Sequence, residues 1–265
     1  MIMRLGVSRL ARSSTSPEQS GVRVIARAAE ILRALGQHPE GLSIREIAGL
    51  IGVPRSTVQR IVDALDRENF VISASATSGV RLGPAFIGLA ALVKKFDIVE
   101  MAGPIIRQLA KDVGETVDLA IMDRDKSVVV DQVAGIHPLR AVSYIGSTLP
   151  LHCSATGKAI LGALSDEQLA RVRRSLRLEK RTKNTILSWE RLEREIDRVR
   201  KTGVAVDHEE CFEGVCAVAC ALLGPTGEVA AISIVVPRER FLTAEVSFAS
   251  TLVDHCRSLQ RRIQR

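Results

Sequence analysis

Three apolar stripes at helical spacing follow one another early in this 265-residue chain and constrain its fold more than any other feature. The members of each stripe fall at positions i, i+3, i+4 and i+7, which places them on one face of an α-helix. The stripes are Ala28, Ile31, Leu32 and Leu35; Ile44, Ile47, Ala48 and Ile51; and Val58, Ile61, Val62 and Leu65. They predict three short helices, each with one buried face.

The junction between the second and third helices predicts a helix-turn-helix. Ser43 and Glu46 have the spacing of a capping box, in which each side chain satisfies a free backbone amide at a helix start. Gly52 ends the second helix because glycine tolerates the left-handed conformation. Pro54 suits the first position of the third helix, where the missing N–H costs nothing. The connection is therefore only a few residues long, as in helix-turn-helix units.

The exposed face of the third helix carries side chains that bind bases and phosphates. Arginine pairs with guanine, glutamine with adenine, and serine or threonine with either. Two predicted strands, 70–72 and 80–83, flank a turn over 73–79 and form a wing after this helix; alternatively, the hairpin is a surface element that only covers the helices. The expected DNA-contacting residues are Arg45, Pro54, Arg55, Ser56, Thr57, Gln59, Arg60 and, on the wing, Arg81.

Charge is distributed unevenly along the chain. Residues 1–95 contain 13 Lys and Arg against 7 Asp and Glu, so they hold a net +6 of the total +7. This asymmetry indicates a basic, anion-binding N-terminal module; a merely solvated basic surface is the alternative. Residues 1–20 lack apolar periodicity and are expected to form a disordered basic arm.

Composition excludes several classes of protein. Five cysteines in a chain of this length do not suggest a disulfide framework, so a reducing, cytoplasmic setting is expected. Aromatic residues make up 3%, too few for a platform that stacks single-stranded nucleic acid. No stretch approaches the 18 apolar residues of a spanning helix.

Motifs in both halves resemble the IclR family of bacterial transcriptional regulators. In the N-terminal half these are Leu42-Ser-Ile-Arg-Glu-Ile-Ala, Gly52-Val-Pro-Arg-Ser-Thr-Val-Gln-Arg-Ile-Val and Arg81-Leu-Gly-Pro. In the C-terminal half they are Ile145-Gly-Ser, Leu149-Pro-Leu-His-Cys-Ser-Ala-Thr-Gly-Lys-Ala, Asp207-His-Glu-Glu and Ala230-Ala-Ile-Ser-Ile. The resemblance covers about residues 22–260. It implies a sequence-specific regulator of a catabolic operon that binds double-stranded operator DNA as a homodimer or homotetramer.

The C-terminal half alternates predicted strands and helices, which indicates an α+β domain with an antiparallel sheet. The resemblance implies that this domain is GAF-like and binds a small effector. Arg140–Ile145 is predicted as a strand, and Asp207 is placed in a loop after Gly203. The expected divisions are a basic arm over 1–20, a winged helix-turn-helix over 21–83, linker and dimerisation helices over 84–113, and an effector domain over 114–265.

The effector site is expected at the start of the helix that follows Ser154. A helix N-terminus can bind a carboxylate through its free amides; ordinary capping by Ser154 is the alternative. By resemblance, Ala155 and Thr156 supply those amides and Asp207 faces the pocket. The remaining expected lining residues are Leu149, Val215, Ala217, Ser233 and Val235. Apolar residues at 217 and 235 favour an aromatic or alkyl acid over a very small oxoacid.

Two other chemistries are conceivable for this domain, a metal site and a base–nucleophile pair. The cysteines and histidines from His152 to Cys220 fit no zinc spacing, so no metal or cofactor is expected, although some relatives carry a metal. His152 and Cys153 could form a base and a nucleophile, but adjacent residues of an extended segment point apart. An enzyme that uses the second domain, with the first as a dimerisation module, is the alternative function.

Overall fold

The computed structural model describes residues 18–73, 79–92, 97–141, 143–224 and 227–263. These fall into two compact units with the boundary between Lys94 and Lys95. Residues 1–17 of the predicted arm lie outside the described residues, and helix α1 begins at Glu18, inside its expected limit. No helix in the described ranges combines the length and the apolar character needed to cross a membrane.

The N-terminal unit is a winged helix-turn-helix. Its elements are α1 (Glu18–Gly36), α2 (Ile44–Ile51), α3 (Arg55–Arg67), β1 (Val71–Ser73), β2 (Val80–Leu82) and α4 (Ala85–Leu92). The three predicted stripes meet in one core, whose fully buried members include Ile31, Ile47, Val58 and Val62. Burying one face of each short helix is what stabilises helices that would be marginal alone.

The turn between α2 and α3 follows the prediction closely. The Ser43 hydroxyl accepts the Glu46 amide, and the Glu46 carboxylate accepts the Ser43 amide, which completes the capping box. Gly52 ends α2 with φ of 67°, in the left-handed region. Pro54 lies at the N-cap of α3 rather than at its first helical position, because its carbonyl accepts the amides of Thr57 and Val58.

The wing is a two-stranded antiparallel sheet in which Val71 pairs with Leu82. The turn expected between its strands lies largely outside the described residues. Gly83 follows β2, and its amide donates to the Phe70 carbonyl at 2.8 Å. A Cβ at Gly83 would lie 2.2 Å from the Asn69 carbonyl oxygen, so only glycine permits this approach to the end of α3.

The C-terminal unit is built on a six-stranded antiparallel sheet of order β5-β4-β3-β8-β7-β6. Its strands are β3 (Thr116–Asp123), β4 (Lys126–Val133), β5 (Thr148–Pro150), β6 (Ala205–His208), β7 (Val215–Leu223) and β8 (Val229–Pro237). Its helices are α5 (Asp97–Val113), α6 (Ala155–Ala163), α7 (Asp166–Ser175), α8 (Trp189–Thr202) and α9 (Arg238–Ile263).

The two faces of this sheet carry different helices. On one face, α5 and α9 pack on side chains such as Leu119, Val218 and Ile232. On the other, here called the inner face, α6 and α8 cover small side chains such as Ala205, Ala219 and Ala231. Small residues on the inner face let α6 approach the sheet closely, and α6 is nearly all buried as a result.

Several predicted elements require correction. The strand predicted at 140–145 is wrong, since the described residues of this segment form none and β5 begins at Thr148. The segment is held instead by side chains, with Thr116 Oγ1 donating to the Ala141 carbonyl at 2.7 Å. Helix α7 was not predicted, although Ser165 and Gln168 form a capping box. The sequence pattern predicts a closing helix over Val246–Arg262, whereas α9 begins eight residues earlier, at Arg238.

The loop expected around Asp207 is also wrong, because Asp207 lies in β6, paired with Ala217. Gly203 ends α8 in the left-handed conformation, and the chain enters the strand two residues later. This strand at the edge of the sheet has only four residues, too few to show an alternating pattern.

Candidate DNA-binding face and effector site

Helix α3 separates its apolar and polar residues as a recognition helix requires. Val58, Ile61 and Val62 are buried. Arg55, Ser56, Gln59 and Arg60 are exposed, Pro54 is exposed just before them, and Thr57 is half-buried. A polar face of this kind at a helix N-terminus is the part that enters the major groove in helix-turn-helix proteins.

The basic side chains around this face are not neutralised by nearby acids. Arg45 of α2 and Arg81 of β2 are exposed, as are Arg55 and Arg60. None of the four forms an ion pair with another described residue. Gln59 donates to Asp63 Oδ1 at 2.7 Å, so it must exchange that bond before it can contact a base.

Four expected effector residues lie side by side on the inner face of the C-terminal sheet. Val235 pairs with Ala217 and Ala217 pairs with Asp207, so the three form a row across β8, β7 and β6. Ser233 lies on the same face one step along β8, because alternate residues of a strand face the same side. Val215 lies one step from Ala217 on β7 and is half-buried.

The start of α6 lies against the β4–β5 edge of the same face. Ser154 caps the helix by accepting the Gly157 amide at 3.1 Å. The amides of Ala155 and Thr156 precede the first intrahelical bond and therefore remain available to a ligand. Thr156 Oγ1 accepts a bond from the Ser127 hydroxyl, and Leu149 of β5 pairs with Ser127. Leu149 and the start of α6 therefore both lie beside Ser127 of β4.

Buried charges surround Asp207. The Glu210 amide donates to Asp207 Oδ1 at 2.7 Å, and Lys158 of α6 is hydrogen-bonded to the Glu210 carboxylate. Burial raises the pKa of Asp207 well above its ordinary value, and the positive charge of Lys158 offsets this only in part. Burial likewise raises the pKa of Glu210. Burial therefore favours the protonated form of Asp207 more than water does, and a protonated carboxyl can donate as well as accept a hydrogen bond.

Sequence reasoning missed two buried groups at this site, Asp118 and Lys158. Asp118 of β3 lies opposite Ser233 and is bonded to Ser143 and Gln132. A signal was present in both cases: Asp118 interrupts an apolar strand, and Lys158 lies within an apolar helix. A charged residue in a segment that is buried on every side must itself be buried.

The geometry gives little support to a His152–Cys153 catalytic pair or to a metal site. His152 and Cys153 lie in a turn, so the extended segment on which the expectation rested is wrong. His152 Nε2 bonds the Glu179 carbonyl at 3.0 Å, and its Nδ1 has no hydrogen-bond partner. The neighbouring Cys211 thiol, and to a smaller extent the His152 ring, lower the pKa of Cys153 to about 5. Both residues are almost fully buried, which denies a substrate access. Within the described ranges no three His, Cys, Asp or Glu side chains are grouped as metal ligands.

Comparison with known proteins gives matches along nearly the whole chain. The sequence profile of the IclR helix-turn-helix domain matches residues 24–72, and that of the bacterial transcriptional regulator IclR C-terminal domain matches residues 90–261. The HTH-type transcriptional regulator Rv1719 of Mycobacterium tuberculosis is 46% identical over 88% of this chain and 89% of its own length. The HTH-type transcriptional regulator TtgV of Pseudomonas putida is 42% identical over 83% of each chain.

Solved structures share the fold. The IclR of Thermotoga maritima superposes with a TM-score of 0.72 at 27% identity, covering 91% of this chain and 99% of its own. An IclR homolog from Microbacterium hydrocarbonoxydans, solved in complex with 4-hydroxybenzoate, superposes with a TM-score of 0.71 at 18% identity, covering the same shares.

Proposed function

The chain belongs to the IclR family of bacterial transcriptional regulators, and from that premise we propose that a small organic acid controls its binding to operator DNA. It carries the family's DNA-binding and effector-binding domains. The finer proposal is that this acid has an apolar, aromatic or alkyl body, that the protein regulates a catabolic operon, and that it acts without catalysing a reaction. Its site of action is the cytoplasm.

The division of α3 into a buried and an exposed face is the observation that carries the DNA-binding part. Arg55, Ser56, Thr57, Gln59 and Arg60 contact base edges and phosphates, with Pro54 directing the chain into the groove. Arg45 and Arg81 bind the backbone on either side. Arginine without an acidic partner is free to release counterions from DNA, so binding weakens as salt rises.

The row of residues on the inner face of the C-terminal sheet supports the effector part. The carboxylate of the effector binds the amides of Ala155 and Thr156 at the start of α6, where the helix dipole favours negative charge. Its apolar body lies against Leu149, Ala217 and Val235. Asp207 in its protonated form donates a hydrogen bond instead of repelling the ligand's carboxylate. Val215 and Ser233 complete the lining of this site.

Two further observations agree with this reading. The fold of the structure from Microbacterium hydrocarbonoxydans holds 4-hydroxybenzoate, so a fold of this kind can accommodate one aromatic ring.

Helix α4 exposes Ile87 and Leu89, and α1 exposes Ile25. Exposed apolar side chains on these helices suit pairing with a second subunit, which supports a homodimer or a homotetramer.

The test is whether the intact protein shifts promoter fragments from its own genomic neighbourhood and whether organic acids change that shift. An enzyme would convert the acid, so chromatography of the ligand after incubation separates the two functions. We expect the acid to be recovered unchanged while the affinity for DNA changes. Turnover of the acid without specific DNA binding would contradict the proposal.

A variant tests the location of the effector site. Val235→Phe fills the space above Ala217, so it is expected to abolish effector binding and leave DNA binding intact. Val246→Phe is the matched control, since Val246 is 83% exposed on α9. If calorimetry shows that Val235→Phe binds the effector with unchanged affinity, the site lies elsewhere.

A further inference from the structure

A carboxylate lies buried beside the proposed effector site and has no assigned role. Asp118 of β3 pairs with Ser233 of β8, and Thr116 pairs with Val235. Residues two apart on a strand face the same side, so Asp118 shares the inner face with Ser233 and Val235. Only 2% of Asp118 is exposed.

The partners of Asp118 are all neutral. Gln132 Nε2 donates to Oδ1 at 3.1 Å, and the Ser143 hydroxyl donates to Oδ2. Gln132 Nε2 also donates to the Ser143 hydroxyl. No cation contacts Asp118 within the described part of the chain, and burial raises its pKa to about 6. A buried acid without a cation is costly to keep, and such groups concentrate at functional sites.

One of these partners comes from a segment that is outside the strands. Ser143 belongs to the described stretch 143–147 between β4 and β5, whose Tyr144 and Ile145 are exposed. In contrast, Gln132 is part of β4 and is held in the sheet opposite Asp118. The Ser143 hydroxyl can therefore be replaced at Asp118 without disturbing the sheet.

We propose that Asp118 accepts a hydrogen bond from a hydroxyl group of the effector, which takes the place of the Ser143 hydroxyl, and that the effector is a hydroxylated aromatic acid. This inference rests on the proposed function, which places a carboxylate at the start of α6. The acid and the hydroxyl then lie at opposite ends of one ring. Val235 and Ala217 pack on the face of that ring.

Asp118 lies within reach of a ring that packs on Val235. It is the diagonal cross-strand neighbour of Val235, because Thr116 pairs with Val235 and Asp118 is two residues farther along β3. Diagonal neighbours in an antiparallel pair lie about 7–8 Å apart, a distance that one ring and its hydroxyl can bridge.

Calorimetry at pH 8 with matched ligands tests the inference on the intact protein. The probes are benzoate, 3-hydroxybenzoate, 4-hydroxybenzoate and phenol. We expect one of the hydroxybenzoates to bind wild-type protein about tenfold or more tightly than benzoate, the order of a hydrogen bond to a charged group. Asp118→Asn is expected to remove most of this preference and to leave benzoate affinity within about twofold.

Two control variants separate ligand contact from a structural role. Asp123→Asn changes an exposed acid at the end of the same strand and should keep the preference. Ser143→Ala removes the hydroxyl that the ligand replaces, so it should keep the preference or increase it. If Ser143→Ala and Asp118→Asn abolish the preference equally, Asp118 only positions the 143–147 stretch and the inference is wrong.

The remaining outcomes distinguish this inference from the proposed function. Equal binding of benzoate and both hydroxybenzoates overturns the role of Asp118 and leaves the organic-acid effector standing. If phenol binds and the acids do not, and Asp118→Asn loses phenol binding, the role of Asp118 is supported. The proposal that the effector is an acid is then overturned. Failure of all four probes to bind overturns the hydroxylated aromatic acid and leaves an alkyl acid as the effector of the proposed function.

Discussion

Lys158 and Glu210 form a hydrogen-bonded ion pair inside the C-terminal unit, and the lysine side chain has no exposed surface. Lys158 lies on α6 and Glu210 follows β6, so the pair joins the helix start to the strand that carries Asp207. One oxygen of Glu210 has no hydrogen bond. A buried ion pair of this kind contributes little net stability, but removing one partner leaves a charge without compensation.

Lys158→Met is therefore expected to lower the free energy of unfolding by about 3–5 kcal/mol. The double variant Lys158→Met/Glu210→Leu should recover much of that loss, because neither member of the pair is left as an unpaired buried charge. Urea unfolding followed by Trp189, the sole tryptophan of the chain, measures the C-terminal unit. Arg194→Met breaks the exposed pair with Glu190 and serves as a control, with an expected loss below about 1 kcal/mol. A small effect at Lys158 would show that the pair is open to water.

Gly52 and Gly49 of the helix-turn-helix should respond in opposite directions to alanine. Gly52 has φ of 67°, so Gly52→Ala is expected to destabilise the unit by about 1–2 kcal/mol. Gly49 lies within α2, and a Cβ there meets no atom within 4 Å, so Gly49→Ala should stabilise by up to ~1 kcal/mol. Hydrogen exchange of peptides from α2 and α3 in the intact protein reports both changes. Equal effects of the two variants would contradict the turn described for Gly52.

Loss of Arg55 or Arg60 should weaken operator binding without unfolding the domain. Loss of a base contact is expected to cost roughly 1–3 kcal/mol and to relax specificity at one position. Loss of a phosphate contact should weaken all sequences alike and reduce the salt slope by about one unit. Arg67→Ala, at the exposed C-terminal end of the same helix, is the control and should change binding little. Anisotropy titrations across salt concentrations measure these effects, and unchanged affinity in both variants would exclude this face of α3.

The stability of the C-terminal unit should depend on pH through Asp118. Its pKa is raised from 3.8 to about 6, so between these values the folded state binds more protons than the unfolded state. The stability of the wild type therefore falls as pH rises through this window and levels off above it. A shift of about two units corresponds to about 3 kcal/mol. Asp118→Asn lacks this contribution, so its stability relative to wild type should rise between about pH 4 and pH 6. Parallel pH profiles in urea unfolding would contradict this.

Local sequence rules predicted the N-terminal unit well because its signals are local. The capping box of Ser43 and Glu46 and the left-handed Gly52 mark the ends of α2 within the sequence itself. The apolar stripes then identify the buried faces, since the helical period leaves few alternatives. The first helical residue of α3 and the strand ends at 70–73 and 82–83 were misplaced by one position, and α1 begins within the expected arm.

The C-terminal unit depends more on contacts between distant residues. The 140–145 segment has strand-like residues, yet its Ala141 carbonyl is taken by the Thr116 side chain, and the described residues of this segment form no strand. Asp118 and Ser143 are 25 residues apart, and Lys158 and Glu210 are 52 apart. No local pattern reports such pairs. The inner-face row of Asp207, Ala217 and Val235 was likewise expected from a resemblance and not from spacing.

The close approach of Gly83 to Asn69 has a consequence for the operator. It joins the end of the wing to the end of α3 by a contact that leaves no space for a side chain, so the two elements cannot slide past each other. Arg81 and Arg55 are thereby held at a fixed offset, so in the proposed mode of DNA binding they contact the duplex at a set separation. We expect an operator with one base pair inserted between their contact points to lose one of the two contacts entirely, rather than to be accommodated by bending of the domain.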